Sequence, residues 1–256
     1  MDMLRTENVT MKFGGLTAVS DFNLKLEQGK ITALIGPNGA GKTTAFNVLT
    51  GVYTPTVGKV YFKDKDITGI RPDKITSLGI ARTFQNIRLF NDLSVLDNVL
   101  IGNHLHLKSN IFEATFRLPK YNKEDKIVLE NSLELLNKVG LYDCKDEKAS
   151  SLPYGMQRRL EIARALATNP DLLLLDEPAA GMNPKESYDL TSFILSIRDE
   201  YKLTIFMIEH HMQVVMDISD KIYVFDYGIT IAEGTPNQIQ NDKRVIEAYL
   251  GVEEDA

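Results

Sequence analysis

The chain has 256 residues, 43% hydrophobic and 25% charged, the make-up of a globule that can bury a large core. Lys and Arg number 29 against 35 Asp and Glu, a net charge of −6, which argues against nucleic acid as a partner because no positive field is left over for phosphate backbones. One cysteine, Cys144, excludes internal disulfides and clustered thiolate metal sites, and reads as a buried filler in a reducing compartment.

The opening MDMLRTENVTMKF lacks the apolar core of a signal peptide, and no apolar run approaches the roughly 20 residues that cross a bilayer. The chain therefore reads as neither secreted nor integral. Work at a membrane would require other subunits to hold it there.

Between Leu4 and Leu26 short strand-like runs are broken by FGG, and KITALIG then reads as a buried strand ending at Gly36. The next predicted element is a helix over Thr43–Thr50, stopped by Gly51, and GKVYFKDKDI is a strand with a turn. From about Asn86 to Leu166 the pattern becomes helical, with Leu129, Leu133, Leu136 and Val139 at helical intervals in KEDKIVLENSLELLNKVGL. This predicts a helical subdomain set into an α/β core. Within it KSNIFEATFRLPKYNKED reads as a connector of no predictable shape.

The core resumes with the strand DLLLLDEP, the helix PKESYDLTSFILSIRDE, the strand LTIFMIEHH and a short helix. KIYVFDY and GITIAEG then pair about a turn at Tyr227-Gly228. Strands alternating with helices imply an α/β fold with a mostly parallel sheet covered on both faces.

GPNGAGKTT, Gly36 to Thr44, satisfies the phosphate-loop pattern between a predicted strand and a predicted helix. Gly36, Gly39 and Gly41 let backbone N–H groups turn toward β- and γ-phosphate oxygens, and the helix N-terminus adds partial positive charge. Asn38, Gly39, Ala40, Gly41, Lys42, Thr43 and Thr44 are thus candidate nucleotide-binding residues, with Lys42 supplying a full charge and Thr43 a hydroxyl for Mg²⁺. Asp176 and Glu177 stand at the end of a buried strand, where ligands of parallel sheets gather. Asp176 can hold Mg²⁺ through water, and Glu177, pointing the other way along an extended chain, can polarise an attacking water. The plainer reading is two solvated strand-end charges. His210 follows another apolar strand and could bond a γ-phosphate; the adjacent His211 leaves the choice between them open.

With GPNGAGKTT, QRRLEIARAL, LLLLDEP and IEHHM in this order, nearly the whole chain resembles the ATP-binding cassette ATPases of membrane transporters. The resemblance implies a phosphate-loop ATPase core with an antiparallel β subdomain and an inserted helical subdomain at about 86–166. It implies ATP and Mg²⁺ as ligands, adenine stacked on Phe13, which otherwise reads as core, and Gln85 sensing Mg²⁺ beside the transmembrane subunits. Catalytic roles fall on Lys42, Gln85, Glu177 and His210, and Mg²⁺ on Thr43, Gln85 and Asp176.

Members of that family pair, each ATP lying between one subunit's phosphate loop and the other's signature segment, usually L-S-G-G-Q. Here LPYGM stands there, followed by Gln157: Gly155 keeps its register as an ATP contact, but Pro153 replaces the serine and offers neither hydroxyl nor N–H. Losing a hydrogen bond to a charged group, worth roughly 1.5–3 kcal/mol, would weaken the sandwich about tenfold. The expectation is a heterodimer with a second ATPase bearing an intact signature; a homodimer is the alternative.

More finely, AVSDFNLKL, ARTFQNIRLFNDLSVLDNVLIG, YGMQRRLEIARAL, DEPAAGMNP and VIEAYLG are similar to ATP-binding subunits of branched-chain amino-acid importers, with Asn183 where many relatives carry aspartate. That likeness implies an ATP hydrolase working with transmembrane permeases, peripheral on the cytoplasmic face of the inner membrane. An ATPase for lipid or lipopolysaccharide export is the alternative. A soluble cassette acting on ribosomes or DNA is disfavoured, because neither a second cassette nor a basic extension is present.

Overall fold

A computed structural model describes residues 2–106, 109, 113 and 118–250. The chain divides into two compact units, one made of the residues up to Gln85 and those from Asp171 on, the other of Asn86–Pro170.

The first unit holds two sheets. One is antiparallel, in the order β2 (Leu16–Phe22), β1 (Asp2–Phe13), β5 (Val57–Phe62), β6 (Lys65–Asp66), with β3 (Lys25–Glu27) also on β1. The strand runs expected from Leu4 to Leu26 are present and break at Phe13-Gly14-Gly15, but the first is longer than expected: β1 is one twelve-residue strand. It shifts register against β2, β3 and β5, and the polar Glu7-Asn8, with Asn8 at φ 50, interrupts the apolar alternation that would have marked it as continuous.

The second sheet runs β11 (Ile229–Gly234), β10 (Lys221–Asp226), β4 (Ile31–Ile35), β9 (Thr204–Ile208), β8 (Leu172–Asp176), β7 (Ile80–Arg82), parallel except for β11. Every residue of β4, β8 and β9 is buried, as their predominantly apolar runs require. Phe46 on helix α1 (Lys42–Leu49) stacks on Phe206 with centroids 5.0 Å apart, and Phe22 meets Phe225 edge-on at 4.9 Å. Such pairs add about 0.5–1.5 kcal/mol each beyond their buried area. Truncating Phe206, which is fully buried, to alanine would cost about 3–5 kcal/mol. In the parallel register Ile208 pairs with both Leu34 and Asp176, so the chain leaves β4, β8 and β9 at one level of one edge. That edge carries Gly36, Glu177 and Glu209.

The second unit contains helices α3 (Val95–Asn103), α4 (Pro119–Lys138) and α5 (Tyr154–Leu166), α2 being Pro72–Ser77 of the first. Ser94 and Asp97 close a capping box on α3. Val95, Val99, Leu136, Leu160 and Ile162 are buried, and Asn103 donates to the Ser132 hydroxyl at 2.9 Å, fastening α3 to α4. The helix read from Lys123 starts earlier, with Pro119 at its first position, where a missing N–H costs nothing. So the connector Lys108–Asp125 is helical from Pro119, and most of what precedes lies outside the described residues. Cys144 is buried and its thiol donates to the Leu141 carbonyl.

Candidate functional site

The loop between β4 and α1 is shaped by glycine. Gly36 takes φ 150, and a Cβ there would lie 2.1 Å from the Phe225 carbonyl oxygen. Gly41 caps α1 at φ 94, where a Cβ would meet the Ala18 carbonyl at 2.3 Å. The β10–β11 turn is tied to the same loop, Gly228 donating to the Ala40 carbonyl at 2.9 Å. Lys42 is 6% exposed, and its ammonium donates to the carbonyls of Gly36 at 2.7 Å and Pro37 at 2.8 Å. Burial pulls its pKa down, against the opposing influence of the Glu177 carboxylate.

The loop residues 38–44 line a hollow of about 610 Å³ together with Phe13, Thr17, Gln85, Glu177, His210 and Tyr227. Phe13 is 41% exposed at its rim, held edge-on to Tyr53 at 5.2 Å. A half-exposed ring braced from behind can present a face to a flat ligand. His210 Nε2 lies 2.7 Å from Glu177 Oε1, and Gln85 Nε2 donates to Glu177 Oε2 at 2.9 Å. Both oxygens of Glu177 are thus engaged. His210, not His211, meets Glu177; His211 turns to Glu209, its Nδ1 at 3.3 Å.

Two features depart from expectation. Glu177 does not continue the strand: β8 ends at Asp176, and Glu177 sits at φ 47, in the left-handed region that non-glycine residues avoid. Its direction comes from that turn and not from strand alternation. Asp176, for its part, is paired with Arg82, whose guanidinium nitrogen lies 2.7 Å from Oδ2 with both side chains nearly buried.

Arg82 and Glu209 went unread in the sequence. Arg82 also donates to Asn47 at 2.7 Å and Thr50 at 3.1 Å. Glu209 is 1% exposed and accepts the backbone N–H groups of Ala179, His210 and His211. The one available signal for Glu209 was a charged residue ending an otherwise apolar strand.

Gly155 and Pro153 belong to the other unit. Pro153 caps α5 with no side-chain hydrogen bond, and its carbonyl accepts from Met156 and Gln157. Gln157 donates to the Leu152 carbonyl at 2.9 Å, and a Cβ on Gly155 would meet nothing within 4 Å. Asn183 caps helix α6 (Pro184–Tyr201) through a capping box with Glu186.

The family described as ABC transporter matches residues 19–180, and the family described as branched-chain amino acid ATP-binding cassette transporter matches residues 230–255. The high-affinity branched-chain amino acid transport ATP-binding protein LivG of Escherichia coli K12 is 45% identical over 249 residues, 97% of this chain and 98% of its own. BraF of Pseudomonas aeruginosa, of the same description, is also 45% identical over 97% of this chain and 98% of its own. Among solved structures, an ATP-binding cassette of an ABC transporter in its ADP conformation matches with TM-score 0.86 and 35% identity, covering 98% of this chain and 99% of that one. The nucleotide-free form of an ATP-binding cassette from an ABC transporter matches with TM-score 0.84 at 35% identity, over 97% of this chain and 99% of that one.

Proposed function

The chain belongs to the ATP-binding cassette (ABC) transporter family, and on that premise we propose that it is the ATP-hydrolysing subunit of a membrane importer for branched-chain amino acids. The observation that carries the hydrolytic part is the fixed Glu177 carboxylate, held between His210 and Gln85 at the mouth of the loop-lined hollow.

Residues 38–44 cradle the phosphates: backbone amides and the α1 N-terminus face the anion, and Lys42 exchanges its two carbonyl partners for phosphate oxygens. Phe13 stacks on the base. Glu177 takes a proton from the attacking water, and His210 holds the carboxylate oriented and contacts the terminal phosphate. Thr43, Gln85 and Asp176 would hold Mg²⁺, which would neutralise phosphate charge. They offer a hydroxyl, an amide carbonyl and one carboxylate, a hard-oxygen set that suits a cation retaining several waters. The amide nitrogen of Gln85 is turned to Glu177, so its carbonyl end is the end suited to a metal.

No helix among the described residues is long and apolar enough to cross a membrane. The transport descriptions of the relatives support attachment through permease subunits, on the cytoplasmic face where ATP is available. The open approach to Gly155 and the uncapped start of α5 at Pro153 support a partner ATPase, preferably a different one with an intact signature. The substrate reading rests on the likeness to branched-chain amino acid transport proteins and on the family matched at 230–255.

Reconstitution with branched-chain amino-acid permeases, their binding protein and a second ATPase subunit, in vesicles containing ATP, tests the whole reading. Labelled leucine should accumulate, and Glu177→Gln should abolish uptake and hydrolysis while nucleotide still binds. Hydrolysis stimulated by lipid and not by leucine-loaded binding protein would overturn the substrate assignment.

A further inference from the structure

We infer that Glu209 is a positioning residue that sets the Glu177–His210 geometry by clamping the two chain segments that carry them. The inference rests on the reading of Glu177 and His210 as the working pair. The carboxylate is divided between the segments: Oε1 accepts the Ala179 N–H at 2.7 Å, and Oε2 accepts the N–H groups of His210 at 2.7 Å and His211 at 3.0 Å. Ala179 is two residues beyond Glu177, and His210 is the next residue after Glu209 itself. One buried side chain therefore ties the exits of two adjacent parallel strands.

A second tie lies alongside, the Glu177 N–H donating to the Ile208 carbonyl at 2.9 Å. Together these bonds fix both ends of the turn in which Glu177 holds φ 47. A strained backbone persists only where its surroundings over-determine it, and here Glu209 supplies part of that constraint. An anion 1% exposed must be met by donors, and backbone amides meet it on both oxygens. Glutamine serves poorly: its NH₂ group would face either the Ala179 amide or the two histidine amides, donor against donor, with only the His211 Nδ1 at 3.3 Å able to accept from it. A plain packing role would not need the charge to be shared between these two segments.

The test compares Glu209→Gln and Glu209→Asp with wild type in the reconstituted complex, measuring steady-state hydrolysis, binding of fluorescent MANT-ADP and thermal unfolding. Because displacement of about 1 Å in a reacting constellation can cost up to about a hundredfold, kcat for Glu209→Gln should fall about 10–100-fold with MANT-ADP affinity unchanged. Glu209→Asp, which keeps the charge but retracts it, should recover part of kcat. Wild-type kcat in Glu209→Gln overturns the inference, as does a parallel loss of kcat and probe affinity. If Glu209→Gln does not fold, Glu209→Asp decides: reduced kcat at unchanged affinity supports the clamp, and wild-type kcat overturns it. Glu177→Gln and His210→Ala are run alongside. If either keeps wild-type kcat the reading of the pair fails, whereas if both lose kcat and Glu209→Gln does not, only the role of Glu209 falls.

Discussion

Arg82 holds Asp176: a guanidinium nitrogen stands 2.7 Å from the carboxylate, with the side chains 11% and 6% exposed. A pair this dry contributes little net stability when intact, yet removing one partner leaves an uncompensated charge. Arg82→Ala should therefore destabilise the chain by about 3–5 kcal/mol, the midpoint of thermal unfolding falling by about 10 °C. The double variant Arg82→Ala/Asp176→Asn should recover much of that loss. Calorimetry on the single and double variants checks this, and a single-variant loss below about 1 kcal/mol would mean that water already reaches the carboxylate.

This pair also shows where sequence reading stops. The α/β fold was legible because β4, β8 and β9 are predominantly apolar runs, and the phosphate loop because its glycines and lysine stand in a spaced pattern after a strand. The strand signal reaches Asp176 but neither signal reveals its pairing with Arg82, which is 94 residues away and shares no motif with it. The three-residue strands β3 and β7 are too short for periodicity, and they are strands only because β1 and β8 supply their hydrogen bonds. The turn at Glu177 is similarly non-local. Glutamate has no preference for φ 47, and the bonds that flank the turn, from the Glu177 N–H to the Ile208 carbonyl and from the Ala179 N–H to Glu209, join residues some 30 positions apart.

Lys42 sets stability against binding. Its buried ammonium has a depressed pKa, so the folded chain disfavours the proton relative to the unfolded one. The penalty is fully present below the depressed folded value, and stability on this account rises as pH climbs through that value toward the unfolded value of 10.5. Lys42→Met should abolish that rise and leave the free chain at least as stable as wild type. The same change should weaken nucleotide binding by about 1.5–3 kcal/mol, roughly 10–100-fold, for the lost charge-assisted bonds. Unfolding at several pH values and MANT-ADP titration read the two effects separately.

Pro153 allows the signature segment to be tested by gain instead of loss. Its φ of −56 and ψ of 151 suit serine equally well. A serine N-cap adds about 1 kcal/mol to a helix, and giving up proline costs about 0.4–1 kcal/mol through the unfolded chain, so Pro153→Ser should leave stability nearly unchanged. In a Glu177→Gln background it should strengthen ATP-dependent self-association about tenfold, because the hydroxyl regains a bond to a charged phosphate. Sedimentation with and without ATP measures it. Unchanged association would show that the proline is not what limits pairing.

Tyr249 lies on the helix Lys243–Leu250, which falls inside the segment matched at 230–255. Burial pushes its hydroxyl up to about 12, against a weaker opposing pull from the Gly36 backbone. The folded chain thus keeps this proton where the unfolded chain, at 10.0, gives it up. Stability from this group is fully present below pH 10 and is lost as pH rises toward about 12. Tyr249→Phe removes that contribution and a buried hydroxyl that lacks a hydrogen-bond partner, so it should not destabilise the chain at neutral pH. The difference between variant and wild-type unfolding free energies should then grow in favour of phenylalanine from pH 10 upward. Denaturant titrations at pH 8, 10 and 11.5 measure it, and parallel curves would show that the hydroxyl ionises in the folded chain as readily as in water.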